Sequence, residues 1–492
     1  MTNRPRTPHI WESVLPIITL AGLLSGAVYL FGEDASFGPN QTALMVSTFV
    51  ALLVGFRLGF TWKELEEGMA RGVSLASGAI LILLTIGALI GTWILSGIVP
   101  GLIYWGLQIL RADHFFAAAC LICAVVSCVT GSSWTTVSTI GLALIGIASV
   151  LQVSLPVAAG AIISGAYFGD KLSPLSDTTN LAPAMTGTAL FSHIRHMLWT
   201  TVPSFVIAVT IFSWMDFASV KDSTTEPGLE RFTSTLAANF DIGLYLLVPP
   251  ALVLLLVARR VPAFPALLMG ALIGGLFACF FQEEVVLRFV GDEELPRGLA
   301  LIKGFWRAMY GGFVCETGNA QIDAILTRGG MKQMLGTVWL ILSAMAFGGV
   351  LERTGMLASL TRGILSRVTS TGSLICATLL TSLSINIVTS DQYMSIVIPG
   401  RMYRFEFQKR GLKSKNLSRC LEDAGTLTSP LVPWNTCGAF MAEALSVSTL
   451  SYLPFAFFNL FNPVISAVYG FTGFSIERME SVPRKSASAL GK

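Results

Sequence analysis

Three aspartates interrupt apolar runs in a chain that otherwise carries few charges. Asp170 and Asp177 fall within the stretch Gly169–Asn180, and Asp391 is the sole charge from Val368 to Gly400. Around the first two lie Ser173, Thr178, Thr179 and Asn180, and Pro174 removes a backbone donor and disfavours helix in the residue before it. Carboxylates, hydroxyls and carbonyls freed from a helix are the oxygen-rich set that a small hard cation needs in place of water. A second stretch, Glu422–Thr436, repeats the pattern with Ser429, Pro430, Pro433, Asn435 and Thr436, and a third, Thr130–Thr136, supplies Ser132 and Ser133 without a carboxylate. The chemistry these types support is reversible binding of a small hard cation, Na+ being the expected one, at Asp170, Asp177 and Asp391, in turn with H+. An aspartate in water, with a pKa of about 3.9, holds no proton at neutral pH, so such an exchange requires carboxylates taken out of bulk water.

Each feature has a plainer structural reading. Residues 170–180 could form an extramembrane loop capped at Asp177 or Asn180, and Asp391 could be a surface aspartate at a helix end. The apolar pieces flanking Gly169–Asn180 argue against the loop, and an isolated ionisable group in an apolar stretch is a functional candidate by default. Glu422 and Asp423 adjoin a basic loop and either join the site or balance that loop's charge. Lys171 either neutralises a carboxylate in the empty state or reaches the membrane interface. Glu352 stands next to Arg353 and reads as a structural or interfacial pair. His193 and His196 make an HxxH pair that reads as membrane-surface anchoring, ahead of a pH sensor or metal site.

The elements that hold these residues follow from composition. The chain has 492 residues, of which 12% are charged, against roughly 25% in ordinary soluble domains. Mean hydropathy is +0.69. From Gly72 to Gly169 the only charges are Arg111 and Asp113, too few to wet the surface of a soluble fold. The sequence therefore predicts an all-α polytopic membrane protein. Apolar spans near 10–31, 41–60, 73–96, 198–215, 241–258, 264–282, 333–351, 373–390 and 452–473 alternate with shorter pieces near 98–110, 115–130, 137–151, 157–169, 181–191, 392–400 and 430–446. The short pieces suggest half-helices and re-entrant segments, for 11 to 14 crossings in all.

Lysine and arginine in short loops set the orientation. Arg4 and Arg6 put the N-terminus inside, Glu33 and Asp34 mark an outside loop, and 216–241 and 282–297 are acidic and outside. The stretch 401–419 holds seven Lys or Arg against one Glu, and Arg484, Lys485 and Lys492 keep the C-terminus inside. An offset of about 256–258 residues aligns Gly91–Gly97 with Gly349–Gly355, Ser132–Trp134 with Thr389–Asp391, and Ser173–Leu175 with Ser429–Leu431. With the charge pattern, this predicts two inverted-topology repeats with broken or re-entrant helices at the core. The first repeat would span 1–220 and the second 241–476. An extracytoplasmic connector covers 221–240 and a cytoplasmic tail 477–492.

A net charge of +3, with its charges localised, is too small to suggest a nucleic-acid partner, and none is expected. Cys120 and Cys123 form a CxxC without a second pair, so they read as small apolar residues. No Walker A loop, GxGxxG, HExxH or GxSxG anchors an ATP-driven pump or a membrane hydrolase. The reading is of a transporter and not an enzyme, with no cofactor beyond the transported Na+ and H+ and with membrane lipid around it. Association into a homo-oligomer stays open.

The runs Gly131–Thr136, Ala161–Ala182, Leu417–Thr426 and Pro433–Gly438 resemble the hallmark segments of the NhaC-type Na+/H+ antiporter family, and the resemblance extends from about residue 10 to 475. It implies a multi-pass secondary transporter of the bacterial cytoplasmic membrane with a broken-helix core. It leaves the cargo between Na+/H+ exchange and a Na+- or H+-coupled carrier of organic anions such as malate and lactate, or of amino acids.

Overall fold

The computed structural model describes residues 5–31, 35, 38–219, 226–365 and 368–479. Arg4, Glu33, Asp34, Arg484, Lys485 and Lys492, used above for topology, lie outside the described residues. The first run of helices is α1 (Ile10–Phe31), α2 (Pro39–Arg57), α3 (Trp62–Leu75), α4 (Ser77–Leu95), α5 (Ile98–Ile109), α6 (Phe115–Thr130), α7 (Ser133–Val150), α8 (Leu155–Leu172), α9 (Asp177–Thr186) and α10 (Leu190–Ser219). After α11 (Glu226–Asn239), α12 (Val248–Ala258), α13 (Ala263–Phe281), α14 (Glu283–Val290), α15 (Arg297–Gly311) and α16 (Ala320–Leu326) comes a second run. It comprises α17 (Leu335–Arg353), α18 (Met356–Leu365), α19 (Thr371–Thr389), α20 (Gln392–Lys409), α21 (Ser414–Cys420), α22 (Thr436–Leu445), α23 (Thr449–Phe455) and α24 (Phe457–Thr472). A π-turn, Leu421–Thr426, extends α21.

Among the described residues, nine helices are long and apolar enough to cross a bilayer, or up to eleven with two bent pairs counted as single spans. Helices dominate because hydrocarbon offers no partners to backbone N–H and C=O, so each segment satisfies its own. Several pieces that looked too short to cross are longer. Residues 115–130 and 137–151 belong to apolar helices of 19 and 18 residues, Ala112–Thr130 and Ser133–Val150. The piece near 157–169 belongs to the 18-residue α8, and that near 392–400 to the 18-residue α20. Polar residues at their ends, such as Asp170, Lys171 and Arg401, truncate the apolar run without ending the helix.

The two runs correspond element by element. Helices α4, α5, α6, α7, α8, α9 and α10 start at Ser77, Ile98, Phe115, Ser133, Leu155, Asp177 and Leu190. Their counterparts start at Leu335, Met356, Thr371, Gln392, Ser414, Thr436 and Thr449, each 256–259 residues later. Each half also packs against helices preceding the other. Helix α17 lies on α2 and α3, while α4 lies on α13 and α15.

Glycine permits these crossings. A Cβ on Gly349 would sit 2.3 Å from the Gly68 carbonyl oxygen, and one on Gly91 would sit 2.2 Å from that of Ala308. The same close approach recurs on another helix: Gly274 faces Trp93, whose Nε1 donates to the Gly270 carbonyl at 3.1 Å. Gly91→Leu is expected to cost more than about 3 kcal/mol, because overpacking here meets backbone instead of a yielding side chain. Gly22→Leu, with nothing within 4 Å, should be silent. Thermal unfolding in detergent of the two variants checks this.

A charge inside an apolar span has a structural task. Asp216, on α10, is 1% exposed and accepts hydrogen bonds from the backbone N–H groups of Phe116 (2.8 Å) and Ala117 (3.0 Å), so it caps α6 from another helix.

Candidate ion-binding site

The site is assembled from four chain breaks. Helix α6 stops at Gly131 (φ 68°) and α19 stops at Ser390 (φ 59°), both in the left-handed region. At each stop the next residue caps the following helix: Ser132 Oγ accepts from the Thr135 N–H at 3.2 Å, and Asp391 Oδ1 from the Met394 N–H at 2.8 Å. Asp391 is therefore a helix-end aspartate, as the plainer reading had it, but only 5% exposed. Glycine is required at 131 by its conformation and by space, since a Cβ there would lie 2.6 Å from Leu175 Cβ.

The two proline-broken segments meet these tips. Where α8 ends before Pro174, the Thr179 hydroxyl donates to the carbonyls of Asp170 (3.2 Å) and Lys171 (3.0 Å). Asn180 Nδ2 donates to the carbonyls of Pro174 (2.9 Å) and Ser176 (2.7 Å). On the other side, the Thr436 N–H donates to the Ser390 carbonyl at 2.9 Å. Asn435 Oδ1 accepts from the Cys437 N–H at 3.0 Å, and its Nδ2 donates to Asn386 Oδ1 at 3.1 Å. Ser429 donates to Gln392 Oε1 at 3.2 Å. Freed backbone groups are thus satisfied locally, as burial demands.

Between the breaks lies a chamber of about 660 Å³. Asp170, Asp177 and Asp391 all line it, with Ser132, Ser133, Thr178, Asn180 and Thr436. Asp170 is held by the first tip: Ser133 donates through its backbone N–H (3.1 Å) and its hydroxyl (2.6 Å), both to Oδ2. Asp177 is the first residue of α9 and is exposed to the chamber. Among the described residues, no three His, Cys, Asp or Glu side chains converge on one metal position. Ser133→Ala removes the hydroxyl that orients Asp170 and is expected to weaken apparent Na+ affinity about tenfold, read as the Na+ concentration for half-maximal exchange.

Ser173, Thr179, Ser429 and Asn435 do not line the chamber; they hold the broken backbone. Lys171 does not reach the interface. It is fully buried, pairs with Asp423 and donates to Asn462 Oδ1 at 2.8 Å. Asp423 also accepts from Thr200 at 3.0 Å, with Arg419 Nε 3.9 Å away. Asp423 is therefore no counter-charge to a solvated loop, and Arg419, counted above among loop cations, is itself fully buried. Glu422 is buried too and accepts from Thr426 at 2.9 Å. Glu352 lies at the end of α17 away from the chamber, and its neighbour Arg353 pairs instead with Glu67 at 3.6 Å. His193 and His196 are 0% and 3% exposed, so the two rings are buried in the protein and not spread on the membrane surface; His193 Nδ1 meets Ser418 Oγ at 2.8 Å.

Sequence reasoning missed Asn386, Gln392, Thr200 and Asn462. Asn386 and Gln392 lie on either side of Asp391, and two amides so near an isolated charge in a membrane span were a usable signal. Thr200 and Asn462 had none, because a hydroxyl or amide in a helix turns inward or outward without changing the local pattern.

A helical bundle of nine or more bilayer-length spans, with helix breaks converging on a chamber that three aspartates line, is the architecture of a secondary transporter. Residues 165–474 match the sequence model of the Na+/H+ antiporter family. The chain is 40% identical over 442 residues to the Na+/H+ antiporter NhaC of Alkalihalophilus pseudofirmus, covering 90% of this chain and 92% of that protein. It is 37% identical to the Na+/H+ antiporter NhaC of Bacillus subtilis, over 87% and 91% of the two. It is equally 37% identical to the malate-2H+/Na+-lactate antiporter of Bacillus subtilis, over 95% and 96%. The chain belongs to the Na+/H+ antiporter family.

Proposed function

We propose that this chain exchanges Na+ for H+ across a bacterial cytoplasmic membrane, the two cations competing for carboxylates that alternately face each side. The observation that carries the reading is the meeting of Asp170 and Asp177, on either side of one break, with Asp391, from a second break 214 residues further along the chain, in one chamber. Sodium favours the ionised carboxylate and a proton displaces it, so one site serves both cargoes. Asp170, already oriented by Ser133, is the principal Na+ ligand. Asp177 supplies charge from the far side of the same break and Asp391 from another, and Ser132, Thr178, Asn180 and Thr436 supply neutral oxygens. Ser173, Thr179, Ser429 and Asn435 act through the backbone they hold.

The transport domain comprises repeats over 1–220 and 241–476, with opposite orientation, joined by an outside connector at 221–240. Both termini, including the tail 477–492, face the cytoplasm. The constant spacing of seven helix starts supports the repeat, and the basic stretch 401–419 supports the orientation. The function needs no cofactor. The decisive assay is dissipation of an imposed pH gradient in proteoliposomes on adding Na+, Li+ or K+; a gradient indifferent to every cation overturns the reading.

A second reading is favoured by one observation. The chamber is more than twenty times the roughly 30 Å³ of a water molecule, and Arg260 lies in its lining. An organic anion would fit, in keeping with the malate-lactate relative. Uptake of radiolabelled malate or lactate driven by Na+ or H+ would support it, and gradient dissipation by Na+ with no organic acid present would count against it.

A further inference from the structure

Helix α10 carries Phe191, Ser192, Arg195, His196 and Trp199 at spacings that place them on one face. This face lines a second cavity, of about 270 Å³, walled opposite by Lys415 and Glu477. The helix has 30 residues, about 45 Å at 1.5 Å per residue, and a hydrocarbon core is about 30 Å thick. Its ends therefore project into the headgroup layer. At this end Phe191 is 73% exposed and Trp199 53%, the exposure expected of aromatic rings at the bilayer interface.

The polar side of the cavity is short of acceptors. Arg195 is exposed and has no hydrogen bond or ion pair among the described residues. His196 lines the cavity and is 3% exposed, and its buried Nε2 has no partner, while Nδ1 lies 3.9 Å from Glu477 Oε1. The one carboxylate present is already shared: Lys415 contacts Glu477 directly and Lys413 reaches it at 3.1 Å. These bonds, that from Lys415 foremost, hold the Glu477 carboxyl below the usual range against partial burial. One carboxylate among Arg195, Lys413 and Lys415 leaves a cationic surplus. A free guanidinium and a buried, unpartnered imidazole nitrogen, on two residues that line one small space, fit a phosphate-type anion, which accepts from both.

We propose that this cavity binds the phosphodiester headgroup of an anionic phospholipid. Arg195 and His196 donate to its oxygens, Lys415 adds charge, and the acyl chains descend past Phe191 and Trp199. Inorganic phosphate shares the headgroup's chemistry but not its chains, and the exposed aromatic wall favours the lipid.

Native mass spectrometry of the full-length protein tests this by counting lipid that survives detergent exchange. Wild type is expected to retain phosphatidylglycerol about tenfold better than phosphatidylcholine, with Arg195→Ala and His196→Phe each erasing most of that preference. Lys63→Ala, at an exposed lysine on α3, is the control and should retain it. Equal retention of the two lipids, an unchanged preference in both cavity variants, or displacement of phosphatidylglycerol by millimolar inorganic phosphate would each overturn the proposal. Arg195→Ala touches no partner, so its folding is not in question; His196→Phe provides a second reading from a buried position.

Discussion

Asp170→Asn is expected to abolish Na+-dependent proton movement in proteoliposomes, by at least about a hundredfold, while the protein still inserts and unfolds at its usual temperature. Asparagine keeps the size of the side chain and an acceptor for the two Ser133 donors, at 3.1 and 2.6 Å, so the first tip stays in place. What it loses is the charge, and with it the ability to alternate between a bound cation and a proton. Losing a buried ionic contact of this kind is worth about 3 kcal/mol or more, hence the hundredfold figure. The proteoliposome assay of gradient dissipation reads it directly. Exchange at the wild-type rate would remove Asp170 from the mechanism. The same substitution at Asp177, exposed to the chamber at the start of α9, then distinguishes a shared role from a peripheral one: loss in both variants makes the two carboxylates partners in exchange.

Lys171→Met is expected to destabilise the protein by about 3–5 kcal/mol, the largest structural effect in the molecule. Lys171 and Asp423 are both fully buried, and removal of the ammonium leaves the carboxylate with Thr200 and an Arg419 nitrogen 3.9 Å away. Breaking a buried pair strands a charge, whereas removing both partners does not. The double variant Lys171→Met/Asp423→Asn should therefore recover at least half of the lost stability. Thermal unfolding in detergent, followed by size-exclusion chromatography, measures both. A single variant within about 1 kcal/mol of wild type would mean that the pair contributes nothing to holding α8 against α21.

These two residues sit side by side in the sequence, yet one meets the chamber and the other the protein interior. That division shows how far the sequence could be read. Asp170, Asp177 and Asp391 were legible as candidates because an ionisable group in an apolar stretch is costly unless something uses it. Pro174 and Pro430 marked broken helices for an equally local reason: a missing N–H and a steric clash belong to the residue itself. Membrane class, the approximate count of spans and the internal offset followed from composition and pattern alone.

The partner of each charge was not legible. Lys171 and Asp423 are 252 residues apart, and no local spacing announces a contact between helices so distant in the chain. The full length of α8 was hidden for the same reason. Asp170 and Lys171 looked like the end of an apolar run, but partners from other segments let the helix continue through them. Likewise the left-handed turn at Ser390, which a serine does not advertise, is supported by the Thr436 N–H from across the bundle.

What the sequence determined by itself was that this chain lies in a bilayer, where its helices break, and which side chains are costly enough to need a purpose, since each of these depends on a residue and its immediate neighbours. Only the tertiary structure decided that four breaks open onto one chamber, that Lys171 is a structural partner and not an interfacial one, and that Ser133 orients Asp170. Those facts depend on which helices pack together, and packing is settled by close approach at positions such as Gly91 and Gly349 and by buried polar pairing across the whole chain.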